Sequence, residues 1–276
     1  MKINAFGRLG KPILLALALA LIMGLPATAQ TLQESLAASK TQNYLVAYGG
    51  FRKLAEQGNV IAQYNLAMMY DLGNGIAENN PQAAVWYRKA AEQGHVMAQF
   101  KIGQMFYMGK GVAKNDAQAA AWYSKAADQG HASAQYSLGL LYAQGKGVSQ
   151  NDQQAAAWYR KAADQGHVMA QFKTGQMYAQ GKGLSLNETQ AVAWYTKAAE
   201  QGHAAAQYNL GLMYEQGRGV SKSAETAYFW WLLASARDYD AAIKSRNQIE
   251  SSLNRQQRKN AEASAQTWKA KPARAS

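Results

Sequence analysis

The 276-residue chain contains no cysteine, which excludes a disulfide framework, a thiol nucleophile and a thiolate metal site. Its longest apolar run, Ile13 to Leu25 (ILLALALALIMGL), falls short of the about 20 residues that a membrane-spanning helix needs. Acids are scarce: 17 Asp and Glu stand against 29 Lys and Arg, for a net charge of +12. Catalytic signatures are missing as well. There is no nucleophile elbow, and the Gly-Lys-Gly triplets at Gly109, Gly145 and Gly181 lack the spacing of a phosphate-binding loop. Carboxylates such as Asp128 and Asp164 recur at one position of a repeat rather than pairing. Nothing here supports an enzyme.

The first residues do carry a signal. Lys2, Arg8 and Lys11 precede the apolar run, and Pro26 and Ala27-Thr28-Ala29 follow it. That order is the pattern of a cleavable secretory signal over 1–29, with cleavage expected after Ala29. No cysteine follows the site, so a bacterial lipoprotein anchor is excluded. The mature chain is expected in a bacterial periplasm, or else secreted, and nucleic acid is then not its partner. Loss of three cations leaves +9. Residues 237–276 hold nine Lys and Arg against four acids, so +5 of that excess sits at the C-terminal end. A basic tail of Arg255, Arg258, Lys259, Lys269 and Lys271 can steer an acidic protein or touch anionic lipid. A solvated surface is the simpler reading, and membrane contact is not favoured.

Between these ends the chain repeats. Trp86, Trp122, Trp158, Trp194 and Trp230 stand 36 residues apart, and so do Ala62, Ala98, Ala134, Ala170 and Ala206. A period in that range marks stacked units, none of which can bury its apolar face alone. Each unit reads as two helices. In the first, Ala134, Leu138, Gly139 and Tyr142 form one stripe. The recurrent Gly139 predicts two backbones in close approach, because a helical glycine costs about 1 kcal/mol relative to alanine. Gly145 and Gly147 end that helix. Asn79, Asn115, Asn151, Asn187 and then Ser223 cap the second helix, which carries the tryptophan and stops at Gln-Gly. The tryptophans and the tyrosines that follow them are expected in the core.

The pattern AQYxLGxxYxxGxGV followed by AxxWYxKAAxQG resembles the Sel-one-like repeat (SLR) family, a relative of the tetratricopeptide repeats, over residues 59–238. The resemblance implies an all-α fold: a right-handed α/α superhelix of about five hairpins that acts as a non-catalytic scaffold for proteins, with no cofactor. A cysteine-rich branch of that family pins its hairpins with disulfides, and this chain departs from it. The expected units are 59–94, 95–130, 131–166, 167–202 and 203–238. An N-terminal capping segment, 30–58, is read as a degenerate half-unit because Gly50 stands where the tryptophan belongs. Capping helices and a basic tail follow over 239–276, with Leu253, Ala261, Ala265 and Trp268 covering the last hairpin and disorder expected after Lys269. Copies alternate, HVMAQF at His95 and His167 against HASAQY or HAAAQY at His131 and His203, for an effective period of 72.

Two constellations remain. The four histidines share one register, and packed helices lie about 8–10 Å apart, too far for one ion at about 2 Å from each ligand. They are expected to open helices, and no metal site is assigned. The side of the first helix opposite its core stripe carries Tyr64, Met68, Met97, Phe100, Gln104, Tyr107, Met108, Tyr136, Leu140, Met169, Phe172, Gln176, Tyr208 and Leu212. These uncharged, partly aromatic positions are expected either to line a concave groove that binds a protein or peptide, or to bury one another through tight curvature. Within the resemblance, a secreted toxin or an envelope protein is a candidate partner, the first making the chain an immunity protein. The resemblance also extends to host-interaction factors and, more remotely, to hydrolases of cell-wall-related or β-lactam substrates.

Overall fold

The computed structural model describes residues 27–272, so the expected signal segment lies outside the described residues except for 27–29. Among the described residues there are helices and no strands. The chain divides into two compact units at Lys114 and Asn115, a boundary that falls between the two helices of the second repeat.

The first unit holds α1 (Ala27–Lys40), α2 (Tyr44–Glu56), α3 (Val60–Leu72), α4 (Asn80–Glu92) and α5 (Val96–Met108). Each packs on the next along the chain. The capping segment is therefore a complete hairpin of α1 and α2, rather than half a unit. Gly50 explains how it closes. A Cβ there would collide with the Ser35 side chain, so the residue that replaces tryptophan admits α1 to the face of α2. Phe51, in the register of Tyr87, fills the core beneath.

The second unit holds α6 (Asp116–Asp128), α7 (Ala132–Gln144), α8 (Asp152–Asp164), α9 (Val168–Gln180), α10 (Glu188–Glu200), α11 (Ala204–Gln216), α12 (Ala224–Ser235), α13 (Asp240–Glu250) and α14 (Arg255–Thr267). Helices α7 with α8, α9 with α10 and α11 with α12 form hairpins, and α13 and α14 both close on α12. Leu253 and Ala261 are buried against Tyr228, while Ala265 and Trp268 pack on the neighbouring core.

Helix boundaries follow the cap chemistry. The side chains of Asn79, Asn115, Asn151 and Asn187 accept the N–H three residues on, and Ser223 does the same for Thr226. At the other end of the first helices, Gly109, Gly145, Gly181 and Gly217 take left-handed φ. The second glycine of each triplet has a further reason: a Cβ on Gly147 would strike the carbonyl of Asp116, and one on Gly183 that of Asp152. The expected backbone approach at the helical glycines holds at Gly139, where a Cβ would come within 3.3 Å of the Ala155 carbonyl, but the tighter neighbours are rings. At Gly139 and Gly175 the nearest neighbours are the rings of Tyr159 and Tyr195, and at Gly211 the indole of Trp231. Glycine there admits an aromatic ring edge, in contact with the helix.

Candidate functional site

The histidines are built into the backbone. Nδ1 of His95, His131, His167 and His203 accepts the N–H of Ala98, Ala134, Ala170 and Ala206 at 3.2, 3.1, 3.3 and 3.1 Å. A neutral ring bonded that way carries its proton on Nε2, which leaves neither nitrogen a lone pair for a metal. In His203, Nε2 faces the Met169 sulfur at 3.2 Å. Burial lowers the pKa of all four imidazoles below the ordinary value. Among the described residues no group of three acids or histidines is placed to hold a metal ion.

Those same rings bury much of the expected groove. In the first unit Tyr64 stacks on His95, centroids 4.5 Å apart at 23°, and leans on Tyr87 at 5.8 Å. In the second unit Tyr136 stacks on His167 at 4.8 Å and Phe172 on His203 at 4.5 Å, each also touching the tyrosine of its own hairpin. Tyr208, in the last repeat, finds Tyr239 at 5.3 Å instead. Phe172 is only 8% exposed, so of the two expectations for this side of the helix its ring follows burial. The first helix is packed on two sides, by its own partner helix and by the histidine that opens the next repeat, and a single-stripe wheel sees only one of them. Met68, Phe100, Gln104 and Tyr107 in the first unit, and Leu140, Gln176 and Leu212 in the second, are half-buried. Leu140 packs on the Tyr159 cluster and Leu212 on the Trp231 cluster.

What remains outward is methionine. Met97 is 41% exposed, Met108 61% and Met169 40%. Two residues of the same registers belong with them: Ile61 (41%) stands 36 residues before Met97, and Leu72 (60%) 36 before Met108. The first unit thus exposes apolar side chains at both ends of α3 and α5. The repeat register was the signal for Ile61 and Leu72. In the second unit the position of Met108 becomes Gln144, Gln180 and Gln216, which leaves Met169 alone.

Polar parts without an obvious signal complete the frame. Buried Gln63, Gln135 and Gln171 donate Nε2 to the carbonyls of Ala55, Ala127 and Ala163. Their oxygens accept from Gln93, Gln165 and Gln201 at 2.7 Å. Three of the central cations reach an acid of the preceding repeat: Lys110 to Asp71 at 2.8 Å, Lys182 to Asp152 at 3.3 Å and Arg218 to Glu188 at 2.6 Å. Lys89, Lys125, Lys161 and Lys197 lie over the faces of Trp86, Trp122, Trp158 and Trp194 at 3.7–4.1 Å. Trp122, Trp194 and Trp230 are buried as expected, whereas Trp86 and Trp158 are half-exposed. The tail cations Arg255, Lys259 and Lys269 are exposed, while Arg258 pairs with Glu250 at 3.6 Å. Lys271 pairs with Glu200 at 2.7 Å, so order continues past Lys269, where disorder was expected.

Caps, glycine pairs and a period of 36 define an α/α hairpin-repeat protein. The Sel1 repeat model matches residues 60–95, 96–131, 132–167, 168–203 and 204–239, and the chain belongs to the Sel1 repeat family. A Sel1 repeat protein from Oxalobacter formigenes is 34% identical, with a TM-score of 0.73 over 78% of this chain and 88% of that one. A protective antigen of uropathogenic Escherichia coli with an SLR fold is 30% identical, covering 87% of this chain and 68% of the other at a TM-score of 0.40. An immunity protein of Pseudomonas aeruginosa is 22% identical, covering 79% and 84% at a TM-score of 0.42. None of the curated proteins matches.

Proposed function

We propose that this Sel1 repeat protein is a non-catalytic scaffold of the bacterial periplasm, and that it holds a protein or peptide partner on the outward ends of its first helices. The observation that carries the reading is the exposure of Ile61, Leu72, Met97 and Met108 in the first unit. Methionine packs against varied shapes because its thioether is flexible and polarizable, and apolar surface without a covering element marks an interaction site. Export is supported by the charged, apolar and small-residue order of 1–29. The aromatic rings of the same helices do the other half of the work, since they fix adjacent hairpins and so set the spacing of the exposed side chains.

The test is capture of a partner from periplasmic extract on the chain Gln30–Ser276, repeated at high salt. A protein retained in salt on the wild type and lost on Met97→Glu with Met108→Glu supports apolar docking on this face. Retention on that variant, or loss in salt alone, contradicts it.

A further inference from the structure

In the second unit α6, α8 and α10 end in Asp128, Asp164 and Glu200, each followed by Gln-Gly. A carboxylate at a helix C-terminus opposes the negative end of the helix dipole, so helix stability gives no reason for this row. The structure shows something seated on it. After α14 the backbone extends from Trp268 (φ −65, ψ 137). The Arg237 guanidinium lies 5.5 Å from the Trp268 ring, and Ala270 covers Gly202, whose equivalent Gly130 is open. The Lys271 N–H donates to the Glu200 carbonyl at 2.8 Å, and its Nζ meets Glu200 Oε2 at 2.7 Å. Lys271 and Pro272 form one wall of a cavity of about 280 Å³ that Asp164, Gly166, Gln171 and Gln201 help to complete.

The spacing specifies the occupant. An extended chain advances about 3.3 Å per residue, so three residues of it span roughly 10 Å. The tail keeps that register: Trp268 sits at the turn of Arg237, and Lys271 at the preceding turn. We propose that this acidic edge is a docking track for an extended basic peptide with a cation at every third position, and that the chain's own tail is its resident occupant. The track uses none of the residues proposed for the methionine face and stands or falls without them.

The experiment titrates a labelled peptide with lysine at every third position, and an isomer with the same lysines clustered, into the full chain and its Lys271→Glu variant. Displacing the tail removes a competitor present at high effective concentration, so the spaced peptide should bind the variant about tenfold tighter than the wild type. The clustered isomer should not gain, and adding Asp164→Asn should reverse the gain. Circular dichroism checks folding, and Lys271→Gln replaces the variant if it fails. Equal binding to wild type and variant, equal binding of both peptides, or no binding to the folded variant overturns the proposal. So do wild-type dimers that vanish in the variant, which would make the occupant a second copy's tail.

Discussion

At each of His95, His131, His167 and His203 one nitrogen, Nδ1, serves the helix that follows, so a proton on it and the cap exclude each other. Burial lowers each folded pKa below the unfolded value of 6.5. The folded state therefore favours the neutral ring. Its stabilisation is complete above the unfolded value and is lost as pH falls through it toward the folded one. The melting temperature should drop as pH is taken from about 7 to about 5. His167→Asn, which keeps an acceptor for the cap, should flatten part of that drop, and an unchanged profile would contradict the account. Burial divides the other candidates in the same way. Phe172→Ala should cost about 3–5 kcal/mol in urea denaturation, whereas exposed Met169→Ala should stay within about 1 kcal/mol. The sequence names both residues, but exposure depends on the ring that the next repeat supplies.

Among the elements, boundaries were the most legible part, because caps and glycines act within a few residues of where they stand. The Asn79, Asn115, Asn151 and Asn187 starts and the Gly109, Gly145, Gly181 and Gly217 stops all fall where local chemistry puts them. Pairings 30 residues apart, such as Gln201 with Gln171 and Lys182 with Asp152, were not legible, since only stacking brings them together. The two kinds of glycine separate cleanly. Gly130 has φ +90 and open space around its missing Cβ, so Gly130→Ala should cost about 1–2 kcal/mol for the left-handed backbone alone. Gly147→Ala adds a collision with Asp116 and should cost more, which paired denaturation curves would show. By contrast Asp152→Asn should change stability by about 1 kcal/mol or less, because its partner Lys182 is 49% exposed.

For the whole molecule, the repeat period was readable from tryptophan and alanine spacing, and its two-helix content from the first-helix stripe, the glycine stops and the Asn caps. The candidate residues were readable only in part: Met97, Met108 and Met169 are exposed, Phe172 is buried, and Ile61 and Leu72 emerge from the register. The central claim is that the first helices meet a partner through exposed methionine. It is tested most directly by oxidative footprinting of the chain in periplasmic extract and in buffer, read methionine by methionine. The account predicts fast oxidation of Met97 and Met108 in buffer and slow oxidation of buried Met69 and Met105, with extract protecting Met97 and Met108 alone. Oxidation of Met97 and Met108 at the same rate in extract as in buffer would contradict it.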